Sequence, residues 1–248
     1  MTDSLGYRRK FGVLAPSTNT SVQPEFDRMR PAGVTNHFSR IYIPDNPVNN
    51  DEDFNQLMID IRAELMNAVD RLMTCKPDYV VMGMSAETFW DGLEGSVELQ
   101  RRIEERAGVK VAMGSDACQA ALRRYGDIKR IAVVTPYMPI GDENVIKFFA
   151  DCGIEVVNLI GLKCESPVAI AHVTEKELRD TIIAVDGQDV EAIVQVGTNL
   201  AMGRVAGIAE FWLDKPVLAI NTATYWWALR QNGIKDKVEG WGSLLLEH

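Results

Sequence analysis

Short apolar runs alternate along the chain with longer segments whose apolar residues recur at helical spacing. The pattern predicts strands and helices in the order β-α-β-α-β-α-β-α, and this order starts again near residue 128. Strands that alternate with helices form parallel sheets with both faces covered. We therefore expect an α/β fold with two similar halves, because the strand-to-turn pattern at 11 and 79 recurs at 131 and 192.

Two of the predicted strands end in turns that are typical of ligand sites. The apolar run 78–82 is followed by Gly83-Met84-Ser85 and a helix start, and the run 192–196 is followed by Gly197-Thr198-Asn199. In open parallel sheets, ligands bind beyond the carboxyl ends of the strands. The two turns are thus predicted to face one small molecule from opposite halves.

The first strand of each half also leads into a polar turn. The strand 11–15 ends at Pro16-Ser17-Thr18-Asn19-Thr20, and the strand 131–135 ends at Pro136-Tyr137. Amides and hydroxyls in such turns can face a ligand. Asn19 is equally a candidate N-cap for the helix 21–29, so a purely structural role stays open for it.

Composition and charge limit the possible partners. The chain has 248 residues, 46% of them hydrophobic, and a formal charge of −9. That charge argues against a nucleic-acid partner or an anionic membrane surface. No apolar run approaches the roughly 18 residues that span a bilayer, and the N-terminus lacks the apolar region of a signal peptide. We therefore expect a cytoplasmic protein, and a homodimer is possible. Its four cysteines show no metal-ligand spacing, so no metal site is predicted.

Four motifs together are typical of one known superfamily. They are Gly12-Val13-Leu14-Ala15-Pro16-Ser17-Thr18-Asn19-Thr20, Met82-Gly83-Met84-Ser85, Val133-Val134-Thr135-Pro136-Tyr137 and Gly197-Thr198-Asn199-Leu200. Through them the sequence resembles the aspartate/glutamate racemase superfamily, and within it the branch of maleate cis-trans isomerases and arylmalonate decarboxylases. The resemblance covers most of the chain.

The resemblance implies two flavodoxin-like halves with the site in the cleft between them. The last helix would pack on the first half, which gives segments 1–127 plus 222–248 for the first half and 128–221 for the second. It also implies chemistry without a cofactor, in which one or two cysteines act on a bound carboxylate. Here the two cysteine positions fall on Gly83 and Gly197. Racemisation by two thiols is therefore not expected.

The remaining polar groups suit a carboxylate. Hydroxyls, amides and turn N–H groups can form a cradle for an anion without a full positive charge. Without the thiols, Glu87 and Tyr137 are the candidate catalytic groups, since a carboxylate in a dry cleft can act as acid or base. Glu87 is equally a candidate first-turn helix residue. The predicted substrate-binding residues are Pro16, Ser17, Asn19, Gly83, Met84, Ser85, Tyr137, Gly197, Thr198 and Asn199.

Two functions are compatible with these residues. The first is a cofactor-independent enzyme of decarboxylase, lyase, isomerase or hydrolase type that acts on a small carboxylate or dicarboxylate. The second is a binding protein that kept the carboxylate cradle and lost catalysis. An acidic or histidine side chain at the bound ligand would favour the enzyme, whereas a cleft with only amides and hydroxyls would favour the binding protein.

Overall fold

Two parallel four-stranded sheets form the centre of the computed structural model, which describes residues 3–248. The strand orders are β2-β1-β3-β4 and β6-β5-β7-β8, so the second sheet repeats the topology of the first. This confirms the predicted α/β fold with two pseudo-symmetric halves. The strands are β1 (Arg9–Pro16), β2 (Val34–Ile41), β3 (Tyr79–Met82), β4 (Val111–Ala112), β5 (Arg130–Thr135), β6 (Glu155–Gly161), β7 (Ala192–Gln195) and β8 (Val217–Ala219).

Helices connect the strands and cover both faces of each sheet, as parallel crossovers require. The helices are α1 (Val22–Met29), α2 (Asp51–Met73), α3 (Ala86–Phe89), α4 (Gly92–Ala107), α5 (Gly114–Tyr125), α6 (Pro139–Asp151), α7 (Glu175–Val185), α8 (Gly203–Leu213), α9 (Ile220–Gln231) and α10 (Ser243–Glu247), with a 3-10 helix at Ala169–His172. All residues of β3, β7 and β8 are buried, which explains why Gln195 is their only polar residue apart from the Tyr79 hydroxyl.

Helix capping sets several element boundaries. A capping box is present at the start of α7, because Thr174 and Glu177 each accept from the other's backbone N–H. Helix α2 begins at Asp51, since the Asn50 side chain accepts from the N–H of Asp53 at 2.8 Å.

The last long helix returns to the first sheet. Helix α9 packs against α1, α5, β3 and β4, which all belong to the first half. The segment limits at 127 and 222 stay a prediction, although the two sheets themselves do not share a strand.

The two halves share one hydrophobic core. Phe89 of α3 lies against Phe148 of α6 with ring centroids 5.0 Å apart, and against Phe149 at 5.8 Å. All three rings belong to one buried cluster that includes residues of both sheets. Edge-to-face aromatic contacts of this kind add to the stabilisation from burial. The halves are therefore packed together beside the cleft.

Phe148→Ala is expected to lower the free energy of unfolding by about 3–5 kcal/mol, because it leaves a cavity in this shared core. Urea denaturation followed by circular dichroism measures the change. Phe211→Ala is the matched control, since Phe211 is 91% exposed, and it should alter stability by less than about 0.5 kcal/mol. Equal effects of the two substitutions would contradict a shared core at Phe148.

Candidate functional site

A cavity of about 70 Å³ lies at the carboxyl ends of the strands, where the turns after β1, β3, β5 and β7 meet. Its polar lining residues are Thr18, Asn19, Ser85, Tyr137, Cys164, Ser166, Thr198 and Asn199. Its other lining residues are Pro16, Ile43, Val48, Phe54, Leu57, Ile61, Met84, Ala86, Pro136, Pro167, Ile170 and Gly197. Most of the predicted substrate-binding residues are thus brought together.

Ser85 is the hydrogen-bond junction of the cavity. Its Oγ lies 2.7 Å from the hydroxyl of Tyr137 and accepts from the N–H of Thr198 at 3.1 Å. These two bonds join the turn of β3 to the turns of β5 and β7. Burial raises the pKa of Tyr137 above its usual value, so the phenol stays protonated. It is therefore a hydrogen-bond donor at neutral pH.

Asn19 is both a helix cap and a cavity residue. Its Oδ1 accepts from the N–H groups of Ser21 and Val22 at 3.0 and 2.9 Å, at the start of α1. Its Nδ2 donates to Thr198 Oγ1 at 3.2 Å. One end of the amide thus satisfies N–H groups at the start of α1, and the other contacts the turn after β7, whereas ligand binding by Asn19 stays a prediction.

Asn199 connects the turn after β7 to the first half through hydrogen bonds. Its Oδ1 accepts from the N–H of Thr20 at 2.9 Å, and its Nδ2 donates to the carbonyl of Pro167 at 2.9 Å. Ser21 Oγ also donates to the carbonyl of Asn199 at 2.8 Å. Both ends of the side-chain amide therefore bind other groups of the protein, and these hydrogen bonds stabilise the shape of the cleft.

The two glycines occupy different environments. Gly197 has a φ of 120°, and a side chain there would collide with the ring of Pro136. Gly83 donates its N–H to the carbonyl of Leu14 at 2.7 Å, and an added Cβ would lie 2.9 Å from Val22 Cγ1. Gly83 does not line the cavity. The backbone conformation thus favours glycine at position 197, whereas at position 83 the close packing of Val22 does.

Ser17 and Glu87, like Gly83, lie outside the cavity lining. Ser17 Oγ accepts from the N–H of Ile43 at 3.0 Å and lies 3.1 Å from its carbonyl, so it fastens the loop after β2. Glu87 Oε1 accepts from Arg62 Nε at 2.6 Å, and burial raises the pKa of this carboxyl. Glu87 Oε2 is buried with no hydrogen-bond partner among residues 3–248. This placement favours a structural role for Glu87, and its catalytic role stays a prediction.

The residues that form the apolar wall of the cavity were not predicted as part of the site. One face of α2 contributes Phe54, Leu57 and Ile61. The ring of Phe54 lies 5.4 Å from that of Tyr137 and stacks on Trp90 at 6.0 Å. The helical stripe of α2 was visible in the sequence, but a stripe alone does not tell a core from a cavity wall.

Two covering loops also line the cavity. The loop after β2 donates the N–H of Val48 to the carbonyl of Glu165 at 2.7 Å, and Asp45 accepts from the N–H of Val168 at 2.9 Å. The second loop follows β6, which pairs with β5 as β2 pairs with β1. It brings Cys164 to the cavity, where burial raises the pKa of the thiol to about 11. The pseudo-symmetry of the halves was the signal that could have found this loop.

The described part of the chain offers neither a membrane span nor a metal cluster. Within residues 3–248 no helix is long and apolar enough to cross a membrane. In the same range no group of three or more His, Cys, Asp or Glu side chains is placed to hold a metal ion.

The fold and the cavity define a class of two-half α/β proteins with a small-molecule site between the halves. A family model described as arylmalonate decarboxylase matches residues 61–245. The chain belongs to this family, which confirms the predicted branch of the superfamily and an enzyme of lyase or isomerase type. It is also 24% identical to maleate isomerase of Pseudomonas putida over 254 residues, covering 95% of this chain and 96% of that one.

Solved structures show the same fold. A maleate cis-trans isomerase variant from Nocardia farcinica, with a covalently bound succinylcysteine intermediate, is similar with a TM-score of 0.86 at 20% identity, covering 97% of this chain and 99% of that one. A variant of arylmalonate decarboxylase in a liganded form is similar with a TM-score of 0.79 at 19% identity, covering 95% and 98%.

Asp142 should make stability depend on pH, because its carboxyl supports the Tyr137 turn from a buried position. It accepts from Thr135 Oγ1, which in turn accepts from the N–H of Tyr137 at 3.1 Å. Burial raises the pKa of Asp142 from 3.8 to about 6. The folded state thus holds this proton more tightly than the unfolded state, so this contribution to stability is full below pH 3.8 and is lost as pH rises through about 6.

We expect the Tm of Asp142→Asn to fall less between pH 3.8 and about 6 than the Tm of the wild-type protein. Thermal melts in a pH series measure it. Asp127→Asn is the control, since its side chain is 87% exposed, and its Tm should run parallel to that of the wild type. An unchanged slope in Asp142→Asn would show that Asp142 does not hold its proton in the fold.

Proposed function

We propose that the chain is a cofactor-independent lyase of decarboxylase type, and that its substrate is a small dicarboxylate with an apolar substituent. The observation that carries this proposal is the composition of the cavity. Hydrogen-bond donors from the strand-end turns share it with an apolar wall from α2 and the covering loops.

The carboxylate would bind at the turns. Tyr137, Thr198 and Asn19 offer a phenol, a hydroxyl and an amide, and no lysine or arginine is among the described lining residues. Neutral donors in a cavity shielded from water bind an anion effectively because the local dielectric constant is low. Arg40 supports them from behind, since its guanidinium donates to the carbonyl of Asn19 at 2.9 Å.

The apolar wall favours an aryl or alkyl substituent. Phe54, Leu57 and Ile61 face the cavity with no polar side-chain atom, so a second carboxylate against them would lose its hydration without compensation. Maleate has no apolar substituent to fill this space. The wall therefore favours the chemistry named for arylmalonate decarboxylase over that named for maleate isomerase.

The proposed reaction breaks the bond between the substituted carbon and one carboxylate. Carbon dioxide leaves, and the electron pair remains as an enediolate on the retained carboxylate. The Tyr137 hydroxyl donates a hydrogen bond to this growing charge and then gives its proton to the carbon. The raised pKa of Tyr137 suits this order, because the phenol keeps its proton until a strong base forms. Solvent would return the proton through Ser85.

The direct test is product analysis by NMR after incubation with phenylmalonate or maleate. The proposal predicts phenylacetate and carbon dioxide from phenylmalonate, and little fumarate from maleate. Fumarate alone would favour an isomerase. Binding of either compound without turnover would favour the binding-protein alternative.

Tyr137→Phe is expected to lower kcat for phenylmalonate by about 10²-fold or more, because it removes the donor to the developing charge. Cys164→Ser is the matched control, since it changes the only thiol among the described lining residues. It should keep turnover within a few-fold of wild type. A large loss in Cys164→Ser with normal turnover in Tyr137→Phe would assign proton donation to the thiol and contradict the cysteine-free mechanism.

Three further expectations stay predictions from the sequence: cytoplasmic localisation, a homodimer and a catalytic role for Glu87. Glu87→Gln tests the last of these. Unchanged turnover would leave Glu87 as the partner of Arg62 alone.

A further inference from the structure

We propose that Glu25 is a positioning residue of the site, which acts through Asn221 to hold the turn 197–199 against the cavity. The proposal rests on the proposed function of that cavity. Glu25 lies on α1 in the first half, whereas the turn belongs to the second half, so the contact also couples the two halves.

The contact is a continuous chain of short hydrogen bonds. Glu25 Oε2 accepts from Asn221 Nδ2 at 2.6 Å, and the same nitrogen donates to the carbonyl of Thr198 at 2.9 Å. Glu25 Oε1 accepts from the N–H of Gly203 at 3.0 Å, at the start of α8. Glu25 is only 7% exposed and Asn221 only 1%. The carboxylate is therefore fixed at both oxygens.

This chain provides one of three constraints on Thr198. Its N–H is held by Ser85 and its Oγ1 by Asn19, which both line the cavity. Its carbonyl is held by Asn221. Both acceptors of the Asn221 Nδ2 group must be present for the amide to keep its orientation. Loss of the carboxylate would free the amide to rotate and release the Thr198 carbonyl.

A buried carboxylate is costly, so its presence calls for a reason beyond packing. Desolvation raises the pKa of Glu25 to about 7, against the opposing effect of its two donors. A well-packed apolar residue often stabilises a fold as well as a buried charge does. A carboxylate, unlike an apolar residue, orients two donors at once, and here these donors are Gly203 and Asn221.

Glu210 provides a matched control on α8. It is also partly buried and accepts from a backbone N–H, that of Ser243 at 2.7 Å. Its other partners are Tyr125 and Val217, and it makes no hydrogen bond to the turn 197–199. Glu210→Gln therefore makes the same chemical change in a comparable network away from the cavity.

The experiment compares full-length Glu25→Gln, Asn221→Ala and Glu210→Gln with the wild type. Calorimetry measures phenylmalonate affinity, and amide hydrogen exchange followed by mass spectrometry reports on 196–199 without ligand. We expect Glu25→Gln and Asn221→Ala to weaken phenylmalonate binding about tenfold, as loss of a hydrogen bond to a charged group implies, and to speed exchange in this segment. The double variant should bind no more weakly than Asn221→Ala alone, because both act through one chain of bonds. Glu210→Gln should lower Tm only.

Equal affinity and exchange in Glu25→Gln and Glu210→Gln would overturn the proposal. If Glu25→Gln does not fold, Asn221→Ala tests the proposal instead, because it keeps the Glu25 carboxylate and removes the hydrogen bond to the Thr198 carbonyl. If the wild type does not bind phenylmalonate, the proposed substrate class is wrong. The exchange measurement then still decides the role of Glu25, because it needs no ligand.

Discussion

The site depends on the hydrogen bonds by which Ser85 joins Tyr137 and Thr198. These three residues follow three different strands from two different sheets, and each is nearly inaccessible to water. Parallel strands deliver their carboxyl ends to a common edge, but two separate sheets can face each other at many angles. Short bonds among buried hydroxyls and a turn N–H select one angle, because leaving any of these groups unpaired would be costly.

Two kinds of surface surround the hydrogen bonds of Ser85, one polar and one apolar. The strand-end turns supply polar groups, and α2 with the covering loops supplies apolar ones. A substrate with a carboxylate and an apolar substituent satisfies both surfaces, which explains how a site whose described lining residues include no lysine or arginine can be selective. Buried acidic groups lie behind the turns rather than in the cavity. Asp142 supports the Tyr137 turn and Glu25 supports the Thr198 turn, each from the fourth residue of the first helix of its half.

The sequence predicted what depends on local pattern and failed where position depends on distant contacts. The strands, the capping box at Thr174 and the turns at Ser85 and Thr198 carry strong local signals, because burial and turn chemistry restrict residue type. Ser17 and Glu87 have suitable chemistry, but their side chains are taken by Ile43 and Arg62, which lie far away in sequence. The Glu25–Asn221 pair reaches the site only through tertiary packing, so no spacing rule reveals it.

One cavity is proposed to hold a carboxylate at the turns and an apolar group against α2. A crystal structure of the protein with bound phenylacetate would show both contacts at once. We expect carboxylate oxygens within hydrogen-bond distance of Tyr137 and Thr198, with the phenyl ring in contact with Phe54 and Leu57. A carboxylate bound at Arg62 instead, or a ring against the turns with the carboxylate facing α2, would contradict it.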